Sequence, residues 1–208
     1  MVNEYWDQRF KAEGMIWGKE PSPTAYHAID KFKKHGVQSV LIPGGGYGRN
    51  SKAFSPHFQV EAVELSPDAI AMAREWDPDC HYIEGSALDI KIDKTYDGIY
   101  CYDLLHLFLM SDRHRLIQCC DEHLRKGGVM YFTSFSDGDP NNGIGRRLES
   151  GTYEYKEGKY AHFFSEEDLR EHFSGYRIVE TGTVEEVLRN QSNDSHSYLL
   201  RYILVQNK

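Results

Sequence analysis

The run Ser39-Val40-Leu41-Ile42 stops abruptly in Pro43-Gly44-Gly45-Gly46, and an acid, Glu64, closes the next apolar run twenty residues beyond Gly44. An apolar run of this length with no polar alternation reads as a strand buried on both faces. Glycines directly after it supply a turn that needs positive φ or close approach of another group to the backbone. A short helix then runs toward Pro56, which stops it. The unit repeats: residues 60–65 read as a second strand, followed by Ser66 as N-cap and Pro67 at the first helical position. Strand, turn and helix in alternation predict an α/β chain with right-handed crossovers.

The rest of the chain extends that pattern. Helices are expected over 3–13, 22–35 and 111–126, the last ended by Gly127-Gly128, and strands over 81–84, 98–102 and 129–135. Residues 136–163, polar and rich in Gly and Tyr, read as one long loop of the functional kind. Ser165 with Asp168 starts a short helix to Phe173. Strands over 176–188 and 197–206 flank a polar turn-forming segment, which predicts an antiparallel hairpin. The expected fold is α/β, a doubly wound, mostly parallel sheet closed by that C-terminal hairpin. No repeat or flexible linker interrupts it, so 1–208 reads as one domain, with an N-terminal extension over 1–36 and a core over 37–208.

Composition narrows the partners. With 40% hydrophobic and 27% charged residues the chain suits a packed body. Its 24 basic against 32 acidic residues, net −8, argue against a nonspecific nucleic-acid binder and leave a small-molecule ligand. The longest apolar stretch, 104–110, contains His106 and is too short to cross a bilayer, and the first ten residues carry no apolar leader, so the expected location is the cytoplasm. Cys80, Cys101, Cys119 and Cys120 lack C-x-x-C spacing and the histidines lack ligand spacing, so reduced thiols and no metal are expected. A monomer or homodimer suits such a chain.

In doubly wound sheets ligands bind beyond the carboxyl ends of the strands, where strand order reverses. Gly44-x-Gly46-x-Gly48 sits there, and Glu64 stands where an acid accepts both ribose hydroxyls of a nucleoside. Arg49 occupies the place of the third glycine of a dinucleotide fingerprint, which disfavours a nicotinamide-dependent oxidoreductase. An enzyme using a nucleoside cofactor and a nonenzymatic nucleoside-binding protein both remain open on these residues.

The string VLIPGGGYGRN (Val40 to Asn50), with VEAVELSPDAIAMARE (Val60 to Glu75), EGSALD, YDGIYCYDLLHLF (Tyr96 to Phe108) and LRKGGVMYFTSF (Leu124 to Phe135), resembles the successive motifs of Rossmann-like class I S-adenosylmethionine-dependent methyltransferases. The tail FFSEEDLREHFSGYRIVE and the W-G-x-x-P-S at Trp17 to Ser22 are similar to tellurite-resistance and thiopurine-type members. The resemblance implies seven strands in the order 3-2-1-4-5-7-6 and S-adenosyl-L-methionine as cofactor. It implies cofactor contacts from Trp17, Gly44, Gly45, Gly46, Gly48 and Glu64, from Leu65, Ser86 and Ala87 beside the adenine, and from Cys101 and Asp103 on the sulfonium side. Ile42 stands where the family usually has an acid, so the cofactor ammonium must be met by carbonyls near Gly44 or by Asp103.

In related chains the segment holding Trp6, Arg9 and Trp17 folds over the cofactor. On the acceptor side the resemblance points to Arg189 and His196 at the hairpin, with Tyr102 and His162 as further candidates and Arg146, Arg147 and Tyr160 within the same edge. His106, among leucines, reads as a core histidine. In-line methyl transfer to a soft or anionic acceptor, a thiol or a selenium or tellurium oxyanion, needs little proton transfer, and no N-P-P-Y-type set is present.

Overall fold

A computed structural model describes residues 2–189 and 195–208, with side chains from Tyr5 onward except Arg189. The N-terminal helices are α1 (Val2–Glu13) and α2 (Pro23–Lys34). The alternating unit follows as β1 (Ser39–Pro43), α3 (Ser51–Phe54), β2 (Gln59–Glu64), α4 (Pro67–Trp76), β3 (His81–Glu84), β4 (Tyr96–Cys101), a 3-10 turn (Leu105–Leu107), α5 (Met110–Glu122) and β5 (Leu124–Phe135). Then come β6 (Arg146–Glu149), β7 (Thr152–Lys156), β8 (Lys159–His162), α6 (Glu166–His172), β9 (Arg177–Arg189) and β10 (Ser195–Gln206). Seven strands form one sheet in the order β3-β2-β1-β4-β5-β10-β9, which is the expected 3-2-1-4-5-7-6, with β10 antiparallel to both neighbours.

The helix starts follow local chemistry. Ser22, Ser66 and Ser165 each cap a helix, their side chains accepting from the backbone N–H of Thr24, Ala69 and Asp168. Proline at the first position of α2 and α4 costs nothing, because that N–H has no intrahelical partner.

Both sheet faces are covered, which is why the central strands show no polar alternation. Val40, Ile42, Tyr100 and Tyr131 pack with Phe32 and Phe54 on one face. Leu41, Ile99, Cys101 and Phe132 pack with Leu116 and Phe173 on the other. All four cysteines are buried and unpaired. No helix among the described residues is long and apolar enough to cross a membrane.

Two expectations are corrected. The fifth helix ends at Glu122, not at 126, because Leu124 already pairs with Tyr96; Gly127, at φ 76°, turns within an extended β5 instead of capping a helix. Residues 136–163 are not one loop, since β6, β7 and β8 form a three-stranded antiparallel sheet. Its turns fall at Gly151 and Gly158, both with positive φ, and the alternation in Thr152-Tyr153-Glu154-Tyr155 is the strand signal the polar composition hid. The turn 190–194 of the closing hairpin lies outside the described residues.

Candidate functional site

The carboxyl ends of β1, β2 and β4 open into a cavity of about 590 Å³, a size that suits a cofactor and part of a second small molecule. Gly44, Gly45 and Gly46 form one wall, with φ of 68° at Gly44 and 54° at Gly46. Gly48 serves another purpose. A Cβ there would lie 2.7 Å from the Tyr82 hydroxyl and 3.5 Å from the Ala73 Cα, so its missing side chain lets α4 and β3 pack, and it does not line the cavity.

Glu64 does line it, and its carboxylate is already engaged. Oε2 accepts from the Gly46 N–H at 2.8 Å, and Oε1 accepts from the N–H groups of Leu65 at 2.9 Å and Ser66 at 3.0 Å. Burial pushes its pKa up, and these three backbone donors pull it back. The acid therefore holds the glycine turn in shape while presenting its edge to the cavity. Leu65, Ser86 and Ala87 line the same end; Ser86 Oγ accepts from the Leu88 N–H at 3.1 Å and keeps its own O–H to donate.

The N-terminal segment covers this end. Ser66 Oγ donates to Asp7 at 2.6 Å, which ties α1 to the start of α4. Trp17 stacks on Tyr47 at 6.1 Å and 19°; the Tyr47 hydroxyl accepts from the Trp17 N–H and donates to the Gly18 carbonyl. Trp6, Arg9, Phe10 and Trp17 all face the cavity, with the Arg9 guanidinium 5.7 Å from the Trp6 ring and 5.8 Å from that of Trp17.

Asp103 follows β4 with φ 47°, the one non-glycine positive φ among the described residues. Its backbone N–H donates to Thr133 Oγ1 at 3.0 Å, and that hydroxyl donates back to Asp103 Oδ1 at 2.8 Å. This exchange holds the strained turn. Burial, then the charge of Glu186, pushes the Asp103 pKa up to about 7, against the pull of Thr133 and Arg49. Beside it the Tyr102 hydroxyl donates to Glu186 Oε2 at 2.8 Å and accepts from Arg49 Nη2 at 2.7 Å. Arg49 also donates to Glu186 Oε1 at 3.1 Å. Burial opposes the Arg49 charge, but Tyr102 and Glu186 more than restore it.

Of the residues expected from sequence, the cavity lining includes Trp17, Gly44, Gly45, Gly46, Glu64 and Leu65, and also Ser86, Ala87, Tyr102, Asp103 and Tyr160. Cys101 is turned to the α5 face of the sheet beside Cys120, away from the cavity, because residues alternate along β4. His162 is buried, with Nδ1 on Thr152 Oγ1 at 2.7 Å and Nε2 on Asp168 at 2.6 Å; it anchors β8 to α6. Arg146 is exposed and paired with Glu154, Arg147 is exposed, and neither lines the cavity.

His196 is exposed, opposite Leu188 in the hairpin, and the Arg189 side chain lies outside the described residues. Among the described residues the hairpin reaches the cavity through Leu188 and Tyr198. Sequence reasoning missed Phe135, Tyr155 and Tyr198 and the buried Arg49–Glu186 pair; His106, read as core, is buried and also forms part of the cavity wall.

Comparison with known proteins agrees with this geometry. Residues 40–128 match the model of a methyltransferase domain. No curated protein matches the chain. Among solved structures the chain is similar to a protein studied in the conversion of a disulfide bond into a thioacetal group during echinomycin biosynthesis (19% identity, TM-score 0.77, 100% of this chain and 92% of that one). It is similar to TehB from Haemophilus influenzae (18% identity, TM-score 0.65, 88% of this chain and 62% of that one). A third likeness is the Burkholderia thailandensis 1,6-didemethyltoxoflavin-N1-methyltransferase, solved with 1,6-didemethyltoxoflavin and S-adenosylhomocysteine (18% identity, TM-score 0.70, 100% of this chain and 88% of that one). Such low identities speak for the fold; the domain match covers the strands that carry the glycine turn, Glu64 and Asp103. Residues 40–128 thus carry a methyltransferase-domain pattern, and the seven-stranded sheet around them has the α/β fold of the methyltransferase structures it resembles.

Proposed function

We propose that the chain transfers a methyl group to a small, largely apolar acceptor carrying a soft nucleophile of the thiol or ring-nitrogen class. The observation that carries this reading is the lining of the cavity beyond Asp103: Phe108, Phe135, Tyr155, Tyr160, Leu188 and Tyr198. The arginines that reach the cavity are both paired, Arg9 with Glu13 and Arg49 with Glu186, and Asp103 and Asp112 face it. Among the described residues a selenium or tellurium oxyanion would meet the carboxylates of Asp103 and Asp112 and two arginines already paired, which favours an uncharged acceptor over an anionic one.

S-adenosyl-L-methionine supplies an electrophilic methyl on a sulfonium. The residues of this chain bind, orient and exclude water. Gly44 to Gly46 and Glu64 hold the nucleoside, Leu65, Ser86 and Ala87 border the adenine, and Asp103 takes the ammonium in place of the acid that Ile42 lacks. Trp6 and Trp17 cover the bound molecule. In this reading all 208 residues work as one unit, with 1–36 as cover over a core of 37–208. Proximity and desolvation carry the rate, since in-line transfer to a soft nucleophile needs no strong base.

The test is transfer from methyl-labelled cofactor to a panel of aromatic thiols, ring-nitrogen heterocycles, selenite and tellurite. Methylation of the organic acceptors supports the reading, and turnover confined to the oxyanions overturns it.

A further inference from the structure

One buried polar atom in the cavity wall, Nδ1 of His106, has no hydrogen-bond partner among the described residues. His106 sits in the 3-10 turn, is 3% exposed, and its ring lies 3.9 Å from that of Phe135 with 18° between the planes. Burial, reinforced by His162, lowers its pKa to about 3, so the ring is neutral. Neutral imidazole carries a single N–H. Placing that hydrogen on Nδ1 would bury an orphan donor, which is rarer and costlier than a bare acceptor nitrogen. The proton therefore belongs on Nε2, the nitrogen left to meet a ligand in the cavity that His106 lines.

We infer that His106 is a specificity-determining residue whose Nε2–H donates a hydrogen bond to an uncharged acceptor atom, a carbonyl oxygen or ring nitrogen, on the molecule that receives the methyl group. This rests on the reading of the cavity's far end as the seat of a small apolar acceptor and adds one polar mark to it. Phe135 also stacks on Tyr198 at 5.4 Å and 5°, so the single N–H is set in a wall of aromatic rings. A buried donor among apolar groups selects by penalty: a molecule that lacks the matching acceptor leaves the N–H unpaired and is rejected. The role is recognition of the acceptor: Nε2–H donates to the bound molecule, and in-line transfer to a soft nucleophile asks no proton transfer of the ring.

Two probes of one shape test this on the intact protein loaded with S-adenosylhomocysteine: 1-indanone, which carries a carbonyl, and indane, which does not. Calorimetry is expected to show wild type binding 1-indanone about 3- to 10-fold more tightly than indane, the range of one neutral hydrogen bond. His106→Phe binds both equally, His106→Gln keeps part of the preference, and all three bind S-adenosylhomocysteine alike. Nitrogen-15 NMR of the wild-type complex shows Nε2 protonated and Nδ1 bare. Equal binding of the probes by wild type, a preference that survives His106→Phe, or a proton on Nδ1 overturns the inference and leaves the apolar-acceptor reading standing. Failure of both probes to bind wild type overturns that reading, and the inference with it.

Discussion

Arg49 and Glu186, 137 residues apart in sequence, meet as a buried ion pair at 3.1 Å, the arginine from the glycine turn and the glutamate from β9. Ser22, the cap of α2, donates to the other oxygen of Glu186 at 2.8 Å, where Tyr102 also donates. One carboxylate thus joins the N-terminal helix, the cofactor turn, the end of β4 and the closing hairpin.

Removing either charge alone leaves the other buried and unpaired, which costs about 3–5 kcal/mol. Glu186→Leu and Arg49→Met are each expected to lower stability by that order, while the double substitution loses clearly less than the two combined. Urea unfolding of the four proteins measures the coupling; strictly additive losses would show that the pair holds nothing together.

Glu64→Ala is expected to weaken S-adenosylhomocysteine binding and to destabilise the protein as well. The three N–H groups of Gly46, Leu65 and Ser66 lose their acceptor, at about 1–3 kcal/mol for a buried group left unmet. Glu64→Gln keeps one acceptor oxygen and falls between. Calorimetry and thermal unfolding together decide; a stable Glu64→Ala protein with unchanged affinity would leave the carboxylate no role.

Cofactor affinity is expected to fall as pH drops through about 7, the value to which burial first, and then Glu186, raises Asp103. Only the ionised carboxylate attracts an ammonium, so proton and cofactor compete below that pH, at a limit of about tenfold per unit. Asp103→Asn is expected to bind more weakly at pH 8 and to lose the pH dependence. Titration of S-adenosylhomocysteine from pH 5.5 to 8.5 measures this, and an identical profile in the variant would assign the ammonium to another group.

Tyr160→Ala and Tyr198→Ala are expected to raise KM for an accepted organic substrate several-fold with little change in cofactor affinity. Both rings line the cavity, from β8 and from β10. Initial-rate kinetics separate the two quantities. A fall in cofactor affinity would place these rings on the nucleoside instead.

Much of the sheet was legible because its signals are local. Serine caps, prolines at helix starts and the glycine turn are each written within a few residues. Gly44 and Glu64 were legible for the same reason, lying at fixed spacing along one crossover, whereas Ser86 came from the family resemblance. The small sheet β6–β8 was not, since its strands are half-exposed and tyrosine-rich and so look like polar loop. Arg49 was read from sequence only as a misfit to a dinucleotide fingerprint, because its partner belongs to a strand that only the folded topology brings near. His106 was assigned to the core for the opposite reason: its leucine neighbours are core, and nothing local shows that Nδ1 lacks a partner.

β10, made after β9, occupies an interior slot between β5 and β9. A ribosome that has just finished β5 has delivered the glycine turn, Glu64 and Asp103, but Arg49 still lacks its counter-charge and one wall of the cavity is missing. That wall arrives only when β10 inserts beside β5 and carries β9, with Glu186, into register. A copy cut before β9 would keep the glycine turn and Glu64 but lose Glu186, the partner of Arg49, and the wall that Leu188 and Tyr198 supply.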